Sequence, residues 1–470
     1  MYQEKIDRYF ADPQVRAQLI GAVSRLVAVK SVKGEAQPDA PFGPGPRAAL
    51  DEAVKLCSEL GFESRNYDNY VGLCDLNDKP TQLHILGHLD VVGEGKGWDT
   101  DPYTCVEKDG MLYGRGVSDD KGPVCAALFA LKAIKDLGIP VSKNARLIMG
   151  TDEESGSQDI AYYYSKEPFA PQAFTPDADF PCINIEKGHF GPTFGAQWAP
   201  ETCMPRVTAM TGGFRSNVVP PEAQAQLTGI DKQAVEPLCV EVSQRTGAVF
   251  TVTTIPTGIQ IHCAGKNAHA AMPEGGINAI QALLEVLSAL PLAQCPSTNA
   301  VRALNKLFPF GDLWGKAAGI AQEDESGPLT LNLAIITLTG TGFTAKIDSR
   351  VPVCATKENC ADVLRASLAA HGLEITEGSD RMMDAHIVPA DSPLVKTLLR
   401  SYEAVTGVTD AKPIAIGGGT YVHHIPGGVA FGCEFPGFDS KMHSANEQNS
   451  VENLLKSARI FALAIAELCR

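Results

Sequence analysis

Between residues 70 and 187 the chain repeats short apolar runs separated by polar loops and one amphipathic stretch. YVGLCDL, TQLHILGHLDVV, ARLIMGT and PCINIEK have the length and composition of buried strands, and Pro123 to Leu137 has that of a helix. Strands alternating with helices predict an α/β sheet covered on both faces. Upstream, Asp12 and Pro13 supply an N-cap and a first-turn proline to a helix whose apolar face carries Val15, Leu19, Val23 and Leu26. A Pro/Gly-rich loop over 33–46 precedes RAALDEAVKLCSELG, read as a helix closed by Gly61.

From about residue 189 the texture changes. TVTTIPTGIQIHCAG and TLNLAIITLTGTG read as two-faced strands, and NAIQALLEVLSAL reads as a helix. After Asp384 the α/β texture returns in KPIAIGGGT and GVAFGC, and VENLLKSARIFALAIAELC predicts a closing helix. The expected architecture is an α/β domain built from residues 1–188 and 385–470 and interrupted by an α+β domain over 189–384. Length agrees, since 470 residues exceed the ~250 to 300 at which one core usually stops growing.

Composition narrows function more than fold. Hydrophobic residues at 44%, charged residues at 20% and a mean hydropathy of -0.04 fit a globular chain, and no apolar run has membrane-spanning length. The start MYQEKIDRYFADPQ does not read as a secretory leader, so a cytoplasmic location is expected. Thirteen scattered cysteines with no CxxC spacing read as free thiols in a reducing compartment. A net charge of -15 argues against a nucleic-acid partner, which demands a basic face.

Candidate chemistry collects at strand ends. His88 and Asp90 in GHLDVV are two apart, a spacing that lets the carboxylate steady an imidazole ligand. His84 shares that face, but a strand context argues against a helical HxxxH zinc pair, and a structural role is expected for it. In GRGVSDDKG, capping of the following helix accounts for one of Asp119 and Asp120 but not both. TDEESG places Glu153 and Glu154 after an apolar strand, TPDADFP supplies Asp177, and SKMHSANEQ supplies His443. His88, Asp119, Glu154, Asp177 and His443 form a mixed nitrogen and oxygen set suited to zinc, manganese or cobalt. Five protein ligands exceed the needs of one open catalytic zinc and suit two cations sharing a carboxylate and a water. Glu153, beside a ligand, is placed to act as general base.

These motifs, with KNAHAAMPEGGINA and in this order, resemble the aminoacylase/carboxypeptidase/dipeptidase family of dinuclear zinc metallopeptidases. TPDADFP and IGGGTY are most similar to the bacterial Xaa-His, or β-alanyl, dipeptidase V branch. The resemblance implies a mixed-sheet catalytic domain with an inserted lid, and two divalent metal ions per chain. It makes Asp119 the bridging ligand, puts His88 and Asp177 on one metal and Glu154 and His443 on the other, and implies a cis peptide after Asp119. Asp90 becomes a steadying catalytic residue, and His269 the donor to the oxyanion. Asn217 and Arg350 would hold the substrate, with Gly417, Gly418 and Gly419 offering N–H groups to its carboxylate. TYVHH departs from the branch near His423, where a basic residue is more usual.

The activity implied is hydrolysis of unblocked dipeptides. Alternatives are an N-acyl-amino-acid amidohydrolase of the same family and a catalytically silent peptide-binding protein. In the branch it resembles, a lid of this size is associated with a monomer, with a dimer as the alternative.

Overall fold

The computed structural model describes residues 2–470. The chain divides into two compact units, one of Met1–Ile185, Ile387–Ile414 and Gly419–Arg470, the other of Glu186–His386 with Ala415–Gly418. The sequence reading groups Ala415–Gly418 with the flanking α/β region. Its backbone instead bonds to residues of the second unit: Lys187 N donates to Ile416 O at 2.9 Å, and Arg350 Nη1 to Gly417 O at 2.7 Å.

In the first unit a mixed sheet runs in the order Glu63–Tyr67, Val71–Asp75, Asn144–Gly150, Thr81–His88, Gln172–Thr175, Gly428–Ala430, Ile183–Glu186. The four strands from Asn144–Gly150 to Gly428–Ala430 are parallel, so their carboxyl ends share one edge. The parallel strands Thr81–His88 and Asn144–Gly150 are buried along most of their length, as strands covered on two faces require, and Val71–Asp75, antiparallel to both its neighbours, is buried throughout. Helix Lys121–Asp136 is apolar almost all round because it packs against helices Pro13–Val27 and Val451–Leu468. Asp12 caps Pro13–Val27 as expected, its carboxylate accepting from Gln14 N at 2.8 Å. Helix Pro44–Glu59 closes with Gly61 at φ +85°, and its start lies inside the loop read over 33–46.

In the second unit an antiparallel sheet runs Val249–Ile255, Gly258–Ala264, Glu222–Thr228, Arg206–Gly212, Thr330–Thr339, Gly342–Val351, Gly188–Phe190, Met382–Met383. Gly258–Ala264 shows the expected alternation, burying Ile259, Ile261 and Cys263 against helices Lys232–Thr246 and Ala279–Ala289. No helix among the described residues is long and apolar enough to cross a membrane.

Candidate metal centre

Three adjacent parallel strands deliver the site. His88 is the last residue of Thr81–His88, Glu153 and Glu154 follow Asn144–Gly150, and Asp177 follows Gln172–Thr175. Ligands collect at this edge of open α/β sheets because the loops diverge there. Asp119 enters from the loop before Lys121–Asp136, and His443 from the loop after Cys433–Glu434.

Two triads result, His88 with Asp119 and Asp177, and Asp119 with Glu154 and His443, each with ligand atoms within 4.8 Å of one another. Asp119 belongs to both. Its Oδ1 lies 2.9 Å from His88 Nε2 and its Oδ2 2.7 Å from His443 Nε2, so the two oxygens face different histidines. Asp177 Oδ2 is 3.5 Å from His88 Nε2, and Glu154 Oε2 is 3.3 Å from His443 Nε2.

The electrostatics show a site with surplus negative charge. Burial pushes the His88 imidazole down, but Asp119, Asp177 and Asp90 outweigh it and hold its pKa well above the ordinary value. Hydrogen bonds to Asp119 and Glu154 hold His443 at about 11. Burial, then the Asp119 charge, raises Glu154 to about 6, and burial raises Asp177 and Glu153. Glu154 Oε1 is buried without a hydrogen-bond partner. Such an orphaned oxygen, among carboxylates that repel one another and histidines that would be neutral as ligands, fits divalent cations.

The residues around the triads hold them in place. His88 Nδ1 lies 2.9 Å from the Asp90 backbone carbonyl and only 3.5 Å from its carboxylate. The Asp90 carboxylate instead accepts from Glu153 N at 3.2 Å and Glu154 N at 3.1 Å. The sequence spacing suggests that the carboxylate steadies the imidazole; the backbone makes the shorter contact, because the chain leaves the strand at His88. The Asp119–Asp120 peptide is cis, as the resemblance implies. Asp120 stands at the N-cap of Lys121–Asp136 but makes no cap bond; its Oδ2 accepts from His88 N at 3.0 Å. A Cβ at Gly87 would lie 2.5 Å from that oxygen, so only glycine admits this approach.

Three supporting residues receive no role from the sequence, although Glu447 stands in HSANEQ and Tyr421 in IGGGTY. Glu447 Oε1 accepts from Gly116 N, Ser118 N and Asp119 N at 3.0, 2.9 and 3.2 Å, while its Oε2 pairs with buried Arg115 at 2.6 Å. Asp159 Oδ2 accepts from Thr151 N at 2.5 Å, Asp152 N at 3.0 Å and Tyr421 Oη at 2.5 Å, fixing the turn that carries Glu153. A Cβ at Gly150 would lie 2.0 Å from Tyr421 Oη. His84 is structural, as expected: it is buried, with Nδ1 2.9 Å from Tyr164 Oη, and burial followed by the Arg146 charge lowers its pKa to about 4.

In the second unit, Asn217 and His269 occupy facing exposed loops joined through Ala270 N to Asn217 O and Val219 N to Ala268 O, both 2.9 Å. His269 Nδ1 accepts from Ala271 N at 3.1 Å, which leaves the ring proton of the neutral imidazole on Nε2. Arg350 donates from Nε and Nη2 to Asp348 at 2.8 and 3.1 Å and from Nη1 to Gly417 O. Gly417 and Gly418 belong to this unit and exposed Gly419 to the first.

A mixed sheet with two histidine and carboxylate triads at its strand ends defines a metal-dependent hydrolase. The chain belongs to peptidase family M20/M25/M40, whose description it matches over residues 84–467, and is a metallopeptidase. It is 35% identical over 461 residues to a Bacillus subtilis (strain 168) protein named "Putative dipeptidase YtjP", covering 97% of this chain and 98% of that one. It is 31% identical to the Staphylococcus aureus (strain MRSA252) "Putative dipeptidase SAR1836", covering 100% and 99%. Among solved structures the fold is similar to human carnosine dipeptidase 1, with a TM-score of 0.58 at 17% identity over 100% and 99% of the two chains. Aminoacylhistidine dipeptidase from Vibrio alginolyticus gives 0.54 at 13% identity over 96% of each chain.

Proposed function

We propose that this chain is a dipeptidase that hydrolyses unblocked dipeptides at a two-metal centre, in the β-alanyl or Xaa-His branch of its family. The observation that carries the reading is Asp119, whose two oxygens face different histidines and so suit a bridging ligand. His88 and Asp177 would hold one cation, and Glu154 and His443 the other. Two divalent cations bound there, zinc first by donor set and manganese or cobalt as alternatives, would supply Lewis acidity and a water acidic enough to attack at neutral pH.

The chain's own residues do the rest. Glu153, its backbone held by Asp90, accepts the proton of the attacking water and passes it to the departing amine. His269, with its proton on Nε2, donates to the developing oxyanion. Asn217 and Arg350 orient the substrate; three of the five Arg350 donors are engaged, leaving two for a ligand. Gly417, Gly418 and Gly419 offer N–H groups to the substrate carboxylate. We further propose a monomer, and a cytoplasmic location that thirteen free cysteines support.

Hydrolysis of a panel of dipeptides, tripeptides and N-acetyl amino acids by metal-loaded protein, with and without chelator, tests the reading. Chelator-sensitive cleavage of dipeptides is expected, and Glu153→Ala should lower kcat by ~10²- to 10⁴-fold with metal content unchanged. Full activity in that variant would sink the mechanism. Preference for N-acetyl substrates would replace the dipeptidase with an amidohydrolase, and stoichiometric peptide binding without turnover would replace it with a binding protein.

A further inference from the structure

A second cluster of nucleophilic side chains lies in the second unit, where Glu201, Cys203 and Cys295 bring a carboxylate oxygen and two sulfurs within 4.8 Å of one another. Cys295 is buried at the N-cap of helix Pro296–Leu307, its Sγ 3.4 Å from Ser297 Oγ and 3.4 Å from Thr298 Oγ1. Glu201 Oε1 accepts from Ser297 N at 2.9 Å, which satisfies one amide of that helix end. Cys203 is half-buried just ahead of strand Arg206–Gly212, and Arg206 Nη1 donates to its carbonyl at 2.8 Å. We propose that Cys203 and Cys295 form a redox-active pair that closes to a reversible disulfide by exchange with a small-molecule disulfide.

Two observations favour a thiol pair over a cation site. A cation between these sulfurs would face the positive end of the helix, whereas a thiolate is favoured there. The polarity of the pair is also set. Burial pushes the Cys295 thiol up, but hydrogen bonds from Ser297 and Thr298, with that from Cys203, bring it below its ordinary value. Cys203 is raised, first by its hydrogen bond to Cys295 and then by burial. The buried sulfur is therefore the better thiolate and leaving group, and the more accessible one meets the reagent.

The exchange balances in two steps. Cys203 loses its proton to solvent and its sulfur attacks the small disulfide, forming a mixed disulfide and expelling one thiolate. Cys295 thiolate then attacks Cys203 Sγ, forming the internal disulfide and expelling the second thiolate. One disulfide is reduced to two thiols while two cysteines are oxidised. Because Cys295 is a stabilised leaving group, dithiols reverse the bridge readily.

Exposed Cys354 provides an internal control, its thiol raised by burial and by Asp324. The full-length, metal-loaded protein is treated with oxidised glutathione, quenched by alkylation and mapped by mass spectrometry. A linked Cys203–Cys295 peptide should form and become the main oxidised species at this pair, whereas Cys354 should stop at a mixed disulfide with glutathione, and dithiothreitol should reverse the link. Cys295→Ser should trap glutathione on Cys203, and Cys203→Ser should leave Cys295 unmodified. Modification that follows exposure alone, with Cys354 reacting and the pair intact, would overturn the proposal. So would binding of an extra zinc equivalent that blocks oxidation and is lost in Cys295→Ser.

Discussion

The two candidate metal triads share Asp119 but differ in cover. His88 is fully buried, with its Nδ1 at the Asp90 carbonyl and its backbone N–H on Asp120. His443 has a side chain 52% exposed, and its backbone sits at φ +58° in a loop. One triad is thus set by the sheet and its core, while the other is completed by a loop residue that water reaches. A ligand fixed by several buried partners pays little entropy on binding, and one on an exposed loop pays more. The covered triad should therefore bind its cation more tightly and release it more slowly.

Asp119→Ala is the most severe way to break the contrast, because it removes a ligand from both triads. Turnover should fall by ~10⁴-fold or more and metal content should drop at both positions, with the far-UV spectrum unchanged. Retention of two tightly held metals would remove Asp119 from the bridging place. His88→Ala and His443→Ala sharpen the contrast. His443→Ala should recover part of its activity with added imidazole or excess metal, whereas the sealed cavity left by His88→Ala should admit neither. Equal rescue of both variants would end the distinction, as would a single-phase loss of metal to chelator in the unmodified chain.

Asp90→Asn tests the link between the triads, since that carboxylate holds the backbone of Glu153 and Glu154. Activity should fall by roughly 10- to 100-fold, in kcat more than KM, as for other residues that orient ligands. The smallest effect concerns the buried side of strand Thr81–His88. The pKa of His84 is lowered to about 4 in the folded chain, below an ordinary value of 6.5. Between these values the unfolded chain binds the proton and the folded chain does not. The His84 contribution is present above pH 6.5 and is lost as pH falls toward 4, by up to about 3 kcal/mol. Urea midpoints at pH 7 and pH 5 should differ less in His84→Gln than in the unmodified chain.

The residues of the two candidate triads were legible in the sequence because each stands in a short motif, and three of them follow apolar runs that mark strand ends. Their partners were not. Glu447 reaches Gly116, Ser118 and Asp119 across some 330 positions, and Tyr421 reaches Asp159 across 262. No periodicity joins such pairs, since tertiary packing alone brings them together. Asp120 was half legible. A cap accounts for one of Asp119 and Asp120, yet the Asp120 carboxylate makes no cap bond and serves His88 N, in a segment 32 positions away. Ala415–Gly418 was misplaced for a similar reason, as its KPIAIGGGT pattern says nothing of the Arg350 and Lys187 bonds that draw it to the second unit.

Glu447 also fixes when the centre can come into being. The loop that carries Asp119 donates three backbone hydrogen bonds to a carboxylate made after His443, the last of the candidate ligands. On a ribosome, a chain that has emerged only through the second unit holds His88, Asp119, Glu154 and Asp177 but lacks both the fifth ligand and the anchor. On the proposed reading, hydrolytic competence waits until both His443 and Glu447 have been made, so the order of residues along the chain keeps the centre incomplete while its first four candidate ligands are already present.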